Sequence, residues 1–380
     1  MKYPMFKVHI DSEIATNNLK NVLKSGFFNE GAQVTEFSKK LSEKMGYENI
    51  VMTNSCTSSL TMALKLSNVN SGDEVITTSM TCLATNTPII NLGAKIVWAD
   101  IDPKTGNISP EKVLEKINSK TKAVMCVNWA GLPCDLEKLQ KICKDNNVKL
   151  IQDAAHGFGS LYNQKDVSHY ADFTCFSFQA IKHITTGDGG AIICKSNEDF
   201  ERAKKMKWFG LDREASKDKN GEWKGQRWKD DVAEAGYKFN MNNLAAAIGL
   251  SQIEHIDNIL LKHRQNAKQF SEIFKDRKDI IPLKYPSNSN PSFWVYTVLL
   301  SENIDRDSVL MKMNKLGIGA GLVHIPNHPY TCFKESFETL EGVEYFHKHQ
   351  ISLPCGWWIN EESIKEISDA LIEAVNDNQK

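Results

Sequence analysis

Apolar runs of strand length alternate with helical segments through the first half of the 380-residue chain. Five such runs are ENIVMT (48–53), GDEVIT (72–77), AKIVW (94–98), KAVMCV (122–127) and KLIQD (149–153). Parallel strands need a crossover of about a dozen residues or more, usually a helix, whereas antiparallel strands can be joined by a tight turn. The alternation therefore predicts an α/β fold with a mostly parallel sheet, and 41% hydrophobic residues suffice for a large core.

One lysine, Lys182, lies between two further strand-like runs, FTCFSF (173–178) and AIIC (191–194), just before the glycine-rich turn TTGDGG. Burying a charged amine is costly, and desolvation lowers the pKa of the amine. A lysine with a lowered pKa is a nucleophile toward carbonyl groups. Lys182 is therefore a candidate catalytic residue, and a surface lysine in a hairpin loop is the alternative.

A carboxylate, Asp153, ends the run VKLIQD, and His156 follows three residues later. In an open α/β sheet, side chains beyond the ends of different strands can face the same crevice. Pyridoxal phosphate chemistry needs a lysine to hold the cofactor's aldehyde and a carboxylate to keep its pyridine nitrogen protonated. Asp153 and Lys182 are a candidate pair for these roles. Taken alone, Asp153 is more typical of a strand-end cap or a turn residue.

The segment NSCTSS (54–59) places small hydroxyl residues where a strand passes into a helix. Free backbone N–H groups and the helix dipole favour an anion at that position. Ordinary N-capping, which a single serine satisfies, is the alternative. Together with Lys182 and Asp153, the segment indicates a phosphate-binding turn.

Four segments resemble the sugar aminotransferases of the DegT/DnrJ/EryC1/StrS family: NSCTSSL (54–60), IQDAAHGFG (151–159), SFQAIKHITTGDGG (177–190) and GYKFNMNNLAAAIGL (236–250). They occur in the family's order over almost the whole chain, and the pattern S-F-x-x-x-K-x-x-T-T-G-x-G-G is specific. The resemblance implies the type I fold of pyridoxal phosphate enzymes. We therefore expect a large cofactor-binding α/β domain at residues 1–250, with a mostly parallel seven-stranded sheet flanked by helices. A smaller C-terminal α+β domain is expected at residues 251–380.

The resemblance also implies roles for individual residues. Lys182 and Asp153 are expected to be catalytic and to hold the cofactor, pyridoxal 5′-phosphate, which passes through pyridoxamine phosphate during turnover. His156 is expected at the phenolic oxygen of the cofactor ring, and Ser177 at its phosphate. The remaining expected cofactor contacts are Thr57, Ser58, Cys56, Cys82, Lys238 and Asn240.

Four of these positions depart from the family's pattern. The family usually has glycine where Cys56 stands and a ring-stacking aromatic where Cys82 stands, so the side chain that covers the ring stays open. Lys238 and Asn240 stand where Asn and Arg are commoner, in a motif that reaches the neighbouring subunit's phosphate. The residues expected to bind substrate are Phe28, Asn29, Trp129, His183, Arg213, His324 and His328.

Composition argues against several classes of protein. Lys and Arg number 46 against 47 Asp and Glu, which gives a net charge of −1 and no signal for nucleic acid or an anionic membrane. The nine cysteines include no C-x-x-C pair, which fits reduced thiols better than disulfides or zinc. His324 and His328 have no carboxylate or cysteine at ligand spacing, so no metal is expected. No apolar run reaches the length of a signal peptide or of a membrane span, about 18 residues, and we expect a cytoplasmic protein.

The charged segment 214–230 contains two tryptophans, Trp223 and Trp228, and shows no clear period. Because tryptophans need a surface to pack against, the segment favours a long functional loop over a disordered one. Its basic residues, together with Arg213, could meet a diphosphate, and a solvated charged loop is the alternative.

The resemblance implies transfer of an amino group from glutamate or glutamine to a keto-sugar. The expected acceptor is a nucleotide-linked 4-keto-6-deoxyhexose, in surface polysaccharide or amino-sugar biosynthesis, and the expected assembly is a homodimer with active sites at the interface. Three alternatives stay open: a sugar dehydratase of the same family, an amino acid decarboxylase of the same fold, and a non-enzymatic regulator. The dehydratase carries histidine in place of the lysine, but the spacing from Ser177 puts Lys182 rather than His183 at that position.

Overall fold

A computed structural model describes residues 1–213 and 231–378 of the chain. Its strands are β1 (Ile50–Thr53), β2 (Glu74–Thr77), β3 (Lys95–Trp98), β4 (Ile101–Asp102), β5 (Asn107–Ile108), β6 (Thr121–Val127), β7 (Lys149–Asp153), β8 (Leu161–Tyr162), β9 (Lys165–Asp166), β10 (Phe173–Ser177), β11 (Gly190–Cys194), β12 (Ile280–Pro282), β13 (Ser289–Asn290), β14 (Tyr296–Leu300) and β15 (Gln350–Leu353). Its helices are α1 (Ser12–Ser25), α2 (Ala32–Met45), α3 (Cys56–Leu66), α4 (Leu83–Asn91), α5 (Pro110–Lys116), α6 (Leu136–Asp145), α7 (Asn197–Met206), α8 (Asn243–Leu250), α9 (Ile256–Phe274), α10 (Arg306–Lys315), α11 (Glu341–His349) and α12 (Glu361–Asp377).

The largest sheet has seven strands in the order β1-β11-β10-β7-β6-β2-β3. Only β11 runs antiparallel to its neighbours, β1 and β10, and the other four pairings are parallel. The prediction of an α/β fold with a mostly parallel seven-stranded sheet is therefore confirmed. The expected functional loop at residues 214–230 lies outside the residues that the structure describes.

Helices cover both faces of this sheet. Along β10, Phe173 and Cys175 belong to one core cluster and Phe176 to the other, because successive side chains of a strand point to opposite faces. Leu60 of α3 packs into the first cluster, and Phe37 of α2 packs into the second. Burial on both faces explains why the strands read as continuous apolar runs rather than as alternating ones.

A smaller antiparallel sheet, with the strand order β12-β14-β15, lies in the C-terminal part of the chain. Helix α9 contacts β12, and α12 packs against both α9 and α10. The boundary at residue 250 falls between the two sheets, although the domain division itself stays a proposal. The first residues of the chain are an exception to it, because Tyr3 exchanges backbone hydrogen bonds with Gly317 (3.0 Å) and Gly319 (2.7 Å).

The ends of the first two helices are set by their local sequence. Asp11 caps α1 by accepting a hydrogen bond from Ile14 N, and Gly26 ends that helix in the left-handed conformation, with φ 67°. Gly46 ends α2 in the same way, with φ 72°.

In the described part of the chain, no helix combines the length and the apolar character that crossing a membrane would require.

Candidate active site

A cavity of about 460 Å³ opens at the carboxyl ends of β7 and β10. These strands are parallel neighbours, so Asp153 at the end of β7 and Ser177 at the end of β10 reach the same edge of the sheet. Both residues line the cavity, as does Lys182 from the loop between β10 and β11. The three residues that the sequence singled out on these strands and their loop are therefore brought together.

The Lys182 amine is partly desolvated. Burial lowers its pKa to about 8, although the nearby Asp153 carboxylate opposes the shift. At neutral to mildly alkaline pH, an appreciable fraction of this amine is therefore neutral. A neutral amine at the wall of a cavity is what attack on a carbonyl carbon requires.

Asp153 is only 4% exposed, and both of its carboxylate oxygens are held in place. Oδ1 accepts a hydrogen bond from Ala155 N at 3.0 Å, and Oδ2 accepts one from Thr85 Oγ1 at 2.7 Å. Burial raises the pKa of this carboxyl group, because desolvation outweighs those hydrogen bonds and the attraction of Lys182. A cationic group bound in the cavity would stabilise the ionised form.

His156 stacks between two other rings in the wall of the cavity. Its ring centroid lies 4.0 Å from that of Trp294 and 5.1 Å from that of His324. Its Nε2 is 3.2 Å from Nε2 of His324, whereas its buried Nδ1 has no hydrogen-bond partner among the described residues. Burial lowers the pKa of His156 well below its usual range, so the ring is neutral and offers one free nitrogen to a ligand.

The N-terminal end of α3 forms another part of the cavity wall. Ser55 caps this helix by accepting a hydrogen bond from Ser58 N at 3.1 Å, and Ser55, Cys56 and Thr57 line the cavity. Gly190 packs so closely that a Cβ atom there would lie 2.5 Å from Cys56 N. The strand β11 can therefore sit directly against the start of the helix, where the dipole favours an anion.

The donor set fits the predicted cofactor. Lys182 supplies an amine, Asp153 a buried carboxylate, His156 an unpaired ring nitrogen, and α3 a helix N-terminus for a phosphate. Cys82 also lines the cavity. The Ser58 hydroxyl instead points into the cap of α3, where it lies 2.6 Å from Asn54 Oδ1.

Lys238, Asn240, Phe28 and Asn29 lie together outside this cavity. Lys238 Nζ donates to Asn240 Oδ1 at 2.5 Å, and Asn240 Nδ2 donates to Asn29 Oδ1 at 3.1 Å. Phe28 is 46% exposed beside them. Their expected roles depend on a neighbouring subunit, so those roles stay predictions.

Trp129 and His183 lie outside the lining of this cavity, and their expected roles at the substrate stay predictions. Trp129 follows β6 in a turn in which Ala130 has φ 53°, and its ring is fully buried against Phe346 and behind His324. His183 is 3% exposed, and its Nε2 bonds the Ser292 carbonyl oxygen at 3.2 Å. Neither ring lines the large cavity, and both are buried in the core.

His328 and Arg213 also lie elsewhere. His328 is 4% exposed, and its Nδ1 bonds Ser79 Oγ at 2.7 Å, so the side chain fastens its loop to the residues after β2. Arg213 pairs with Glu30 at 3.5 Å and lies over the Trp208 ring, beside a separate surface cavity of about 120 Å³. Of the seven residues expected to bind substrate, His324 alone lines the large cavity.

Two aromatic residues of the site were missed. Trp294 lines the cavity beside Lys182, and Phe6 stacks on it with ring centroids 4.7 Å apart. The sequence shows Trp294 only as part of the apolar run SFWVYTVLL, and Phe6 only as one aromatic near the start of the chain.

Among the described residues, no group of three or more His, Cys, Asp or Glu side chains could hold a metal ion.

Sequence and structure comparisons relate the chain to known proteins. The model of the DegT/DnrJ/EryC1/StrS aminotransferase family matches residues 9–372. The UDP-4-amino-4,6-dideoxy-N-acetyl-beta-L-altrosamine transaminase of Helicobacter pylori is 32% identical over 359 residues, covering 93% of this chain and 92% of that protein. The spore coat polysaccharide biosynthesis protein SpsC of Bacillus subtilis is 30% identical over 363 residues, with the same two coverages, 93% and 92%. The crystal structure of the sugar aminotransferase CalS13 from Micromonospora echinospora gives a TM-score of 0.91 at 28% identity, covering 97% of this chain and 99% of that one.

Proposed function

The chain belongs to the DegT/DnrJ/EryC1/StrS aminotransferase family, whose cofactor is pyridoxal 5′-phosphate, and we propose that it aminates a nucleotide-linked keto-sugar. The proposed acceptor is a 4-keto-6-deoxyhexose, the proposed donor is glutamate or glutamine, and the product serves surface polysaccharide or amino-sugar biosynthesis. The observation that carries the proposal is the single cavity that joins the Lys182 amine, the Asp153 carboxylate and the N-terminus of α3.

The substrate class is supported by the names of the relatives. The Helicobacter pylori protein is a transaminase of a UDP-linked amino-dideoxy sugar, and the Bacillus subtilis protein takes part in polysaccharide biosynthesis. Both align over more than nine-tenths of this chain. A nucleotide-linked sugar is therefore the acceptor class that we propose to test first.

Bound pyridoxal phosphate supplies an aldehyde for amine exchange and a ring that accepts electrons from the carbon being deprotonated. Lys182 moves the protons: its free amine takes one from the α-carbon of the donor, and in the second half-reaction it protonates the sugar carbon that gains nitrogen. A pKa of about 8 lets Lys182 both accept and return a proton near neutral pH.

Asp153 and His156 are proposed to set the protonation and hydrogen bonding of the cofactor ring. The Asp153 carboxylate, fixed by Thr85 and Ala155, lines the cavity. Its charge would keep a proton on the ring nitrogen of a bound cofactor. The unpaired Nδ1 of His156 is available to hydrogen-bond the phenolic oxygen of the ring. Ser177 and the first turn of α3 are proposed to bind the phosphate.

The positions of Lys182 and His183 favour an aminotransferase over a dehydratase of the same family. Lys182 lines the cavity, whereas His183 does not and its Nε2 bonds the Ser292 carbonyl oxygen. A histidine acting in place of the lysine would have to reach the cavity that Lys182 occupies. The geometry therefore supports Lys182 as the proton-transfer group.

We propose a test in which the purified protein, supplied with cofactor, is given donor labelled with heavy nitrogen and a panel of UDP- and GDP-linked 4-keto-6-deoxyhexoses. Mass spectrometry should find the label in an amino-sugar product, and the Lys182→Ala variant should give none. A deoxygenated sugar without label would indicate a dehydratase, and loss of carbon dioxide from the donor would indicate a decarboxylase. A Lys182→Ala strain with unchanged cellular function would favour a non-enzymatic regulator.

A further inference from the structure

The indole of Trp294 lies directly against the catalytic amine. Lys182 Nζ is 3.5 Å from the centroid of the Trp294 ring. An ammonium group within about 6 Å of the face of a tryptophan is attracted by the ring's quadrupole, most strongly where water is excluded. Trp294 is 3% exposed, so water is largely excluded from this contact.

Trp294 is fixed on several sides. Its Nε1 donates to the carbonyl oxygen of Ile181 at 2.8 Å, and its backbone N donates to Ala130 O at 2.8 Å. Phe6 and His156 both stack on the indole, with planes 21° and 18° from parallel. Because Ile181 precedes Lys182, the indole holds the lysine's own loop while its face meets the lysine's amine.

Few other groups compete for this amine. In the described part of the chain, Lys182 Nζ makes no hydrogen bond to a protein acceptor, although its backbone N donates to Gln179 O at 2.9 Å. The three neighbouring histidines are neutral because burial lowers the pKa of each. The titratable groups that act on the amine are Asp153, Cys56, Cys82, His156, His183 and His324.

We propose that Trp294 is a positioning residue for Lys182, and that its ring holds the free ammonium group at the cavity wall through a cation–π contact. The proposal rests on the proposed function, since the lysine must leave the cofactor and return to it in every cycle. A flexible four-carbon side chain without a hydrogen-bond partner would otherwise lose its orientation whenever it is free. The indole keeps the amine within reach of the carbon atoms whose protons it moves.

Two substitutions of Trp294 distinguish an effect of the aromatic ring face from an effect of apolar bulk alone. Trp294→Phe keeps an aromatic face but loses the hydrogen bond to Ile181 O. Trp294→Leu keeps apolar bulk and loses the quadrupole. Because the contact stabilises the charged amine, the Leu variant should lower the pKa of Lys182 by roughly 0.5 to 1.5 units, and the Phe variant should lower it by less than half as much.

The pKa of Lys182 can be measured without turnover. The full-length protein, freed of cofactor, is labelled with acetic anhydride between pH 6 and 10, and acetylation of the Lys182 peptide is quantified by mass spectrometry. The wild-type midpoint is expected at about 8. Trp98→Phe is the matched control, because Trp98 is a buried core tryptophan that packs against Phe333, and it should keep the wild-type midpoint.

Equal midpoints for the Leu and Phe variants, or a higher midpoint for Leu, would overturn the proposal. A higher midpoint would mean that the indole only shields the amine from water. Trp294→Met replaces the Leu variant if circular dichroism shows that the latter does not fold. A wild-type protein that transfers no amino group to sugars would refute the proposed function, while the midpoints would still decide the role of Trp294.

Discussion

The Nε2 atoms of His156 and His324 lie 3.2 Å apart, and their stacked rings are 13° from parallel. Two protonated imidazoles repel each other at this distance, and burial lowers the pKa of His324 to about 3 and that of His156 well below its usual range. Both rings are therefore neutral, and one Nε2 donates the hydrogen that the other accepts. Since the tautomer of His156 decides whether its buried Nδ1 donates or accepts, His324 controls what His156 offers to a ligand.

We expect His324→Leu to weaken cofactor binding, because His156 then loses the partner that fixes its tautomer. One hydrogen bond of this kind contributes about 1 kcal/mol, so the Kd for pyridoxal phosphate should rise roughly fivefold. Absorbance titration of the cofactor-free protein measures the change. His328→Leu is the control, since His328 bonds Ser79 away from the cavity and should lower Tm without changing Kd. Equal effects on Kd would contradict a specific role for His324.

Lys182→Ala should remove both turnover and the visible absorbance of lysine-bound cofactor. The amine is the group that attacks the aldehyde and moves the protons, and the alanine side chain can do neither. Lys204→Ala is the matched control, because Lys204 pairs with Glu201 on the surface of α7. Absorption spectra of the two variants measure the loss of lysine-bound cofactor, and single-turnover kinetics measure the loss of turnover. A Lys182→Ala protein with the wild-type spectrum would rule out this assignment.

Asp153→Asn should slow transamination by about 10²-fold or more, because an amide holds a proton on the ring nitrogen far less well than a carboxylate. The same change should lower the pKa of Lys182, since Asp153 is the largest influence that opposes desolvation of the amine. Kinetics and the labelling midpoint of Lys182 are separate readouts. Asp172→Asn, which changes a carboxylate bonded to Lys149, is the control. A wild-type rate in Asp153→Asn would leave Asp153 a structural role only.

Much of this fold can be predicted from local sequence patterns. The alternation of apolar runs and helices specifies the sheet, and the ends of β7 and β10 place Asp153 and Ser177 together because neighbouring parallel strands end at one edge. Lys182 could be located in the same way, since its loop joins β10 to β11, which pair with each other.

The remaining walls of the site depend on information that periodicity does not contain. Trp129 and His183 stand beside the expected crevice in sequence, but both rings are buried: Trp129 in a turn in which Ala130 has φ 53°, and His183 against the Ser292 carbonyl oxygen. Phe6 and Trp294 reach the cavity through tertiary packing of segments almost 300 residues apart. The direction of a side chain at a turn and the packing of segments distant in sequence can be seen only in the three-dimensional structure.

Asp166 should make the protein less stable as the pH rises through about 6. Burial raises the pKa of this carboxyl group to about 6, although Ser168 N donates to Oδ1 at 2.9 Å. Because the folded state binds the proton more tightly than the unfolded state, the stabilisation is complete below the unfolded pKa, about 3.9, and is lost between there and about 6.

Asp166→Asn removes the buried charge and keeps an oxygen that can accept from Ser168 N. We expect the free energy of unfolding at pH 7.5 to rise by about 1 kcal/mol, and its decline between pH 4 and 6 to flatten. Urea unfolding followed by circular dichroism across this range measures both quantities. An unchanged pH profile in the variant would mean that Asp166 ionises in the folded state as readily as in the unfolded one.

The cluster around Lys238 predicts that two subunits share each active site. Lys238 lies 4.0 Å from the centroid of the Trp208 ring and bonds Asn240, and neither Lys238 nor Asn240 lines the cavity of its own chain. If Lys238 contacts the phosphate bound by a partner, Lys238→Ala should raise the cofactor Kd by about tenfold, because a charge-assisted hydrogen bond is lost.

Mixing this variant with Lys182→Ala distinguishes sharing from a contact within one chain. At limiting cofactor each pure variant should be nearly inactive, whereas a hybrid dimer combines the Lys182 of one subunit with the Lys238 of the other in one intact site. Random exchange of subunits should then restore about one quarter of the wild-type activity. Sedimentation analysis tests whether the protein is a dimer, and the activity of the mixture before subunit exchange is the control. If activity does not recover although hybrids form, Lys238 acts within its own chain or has no role at the phosphate.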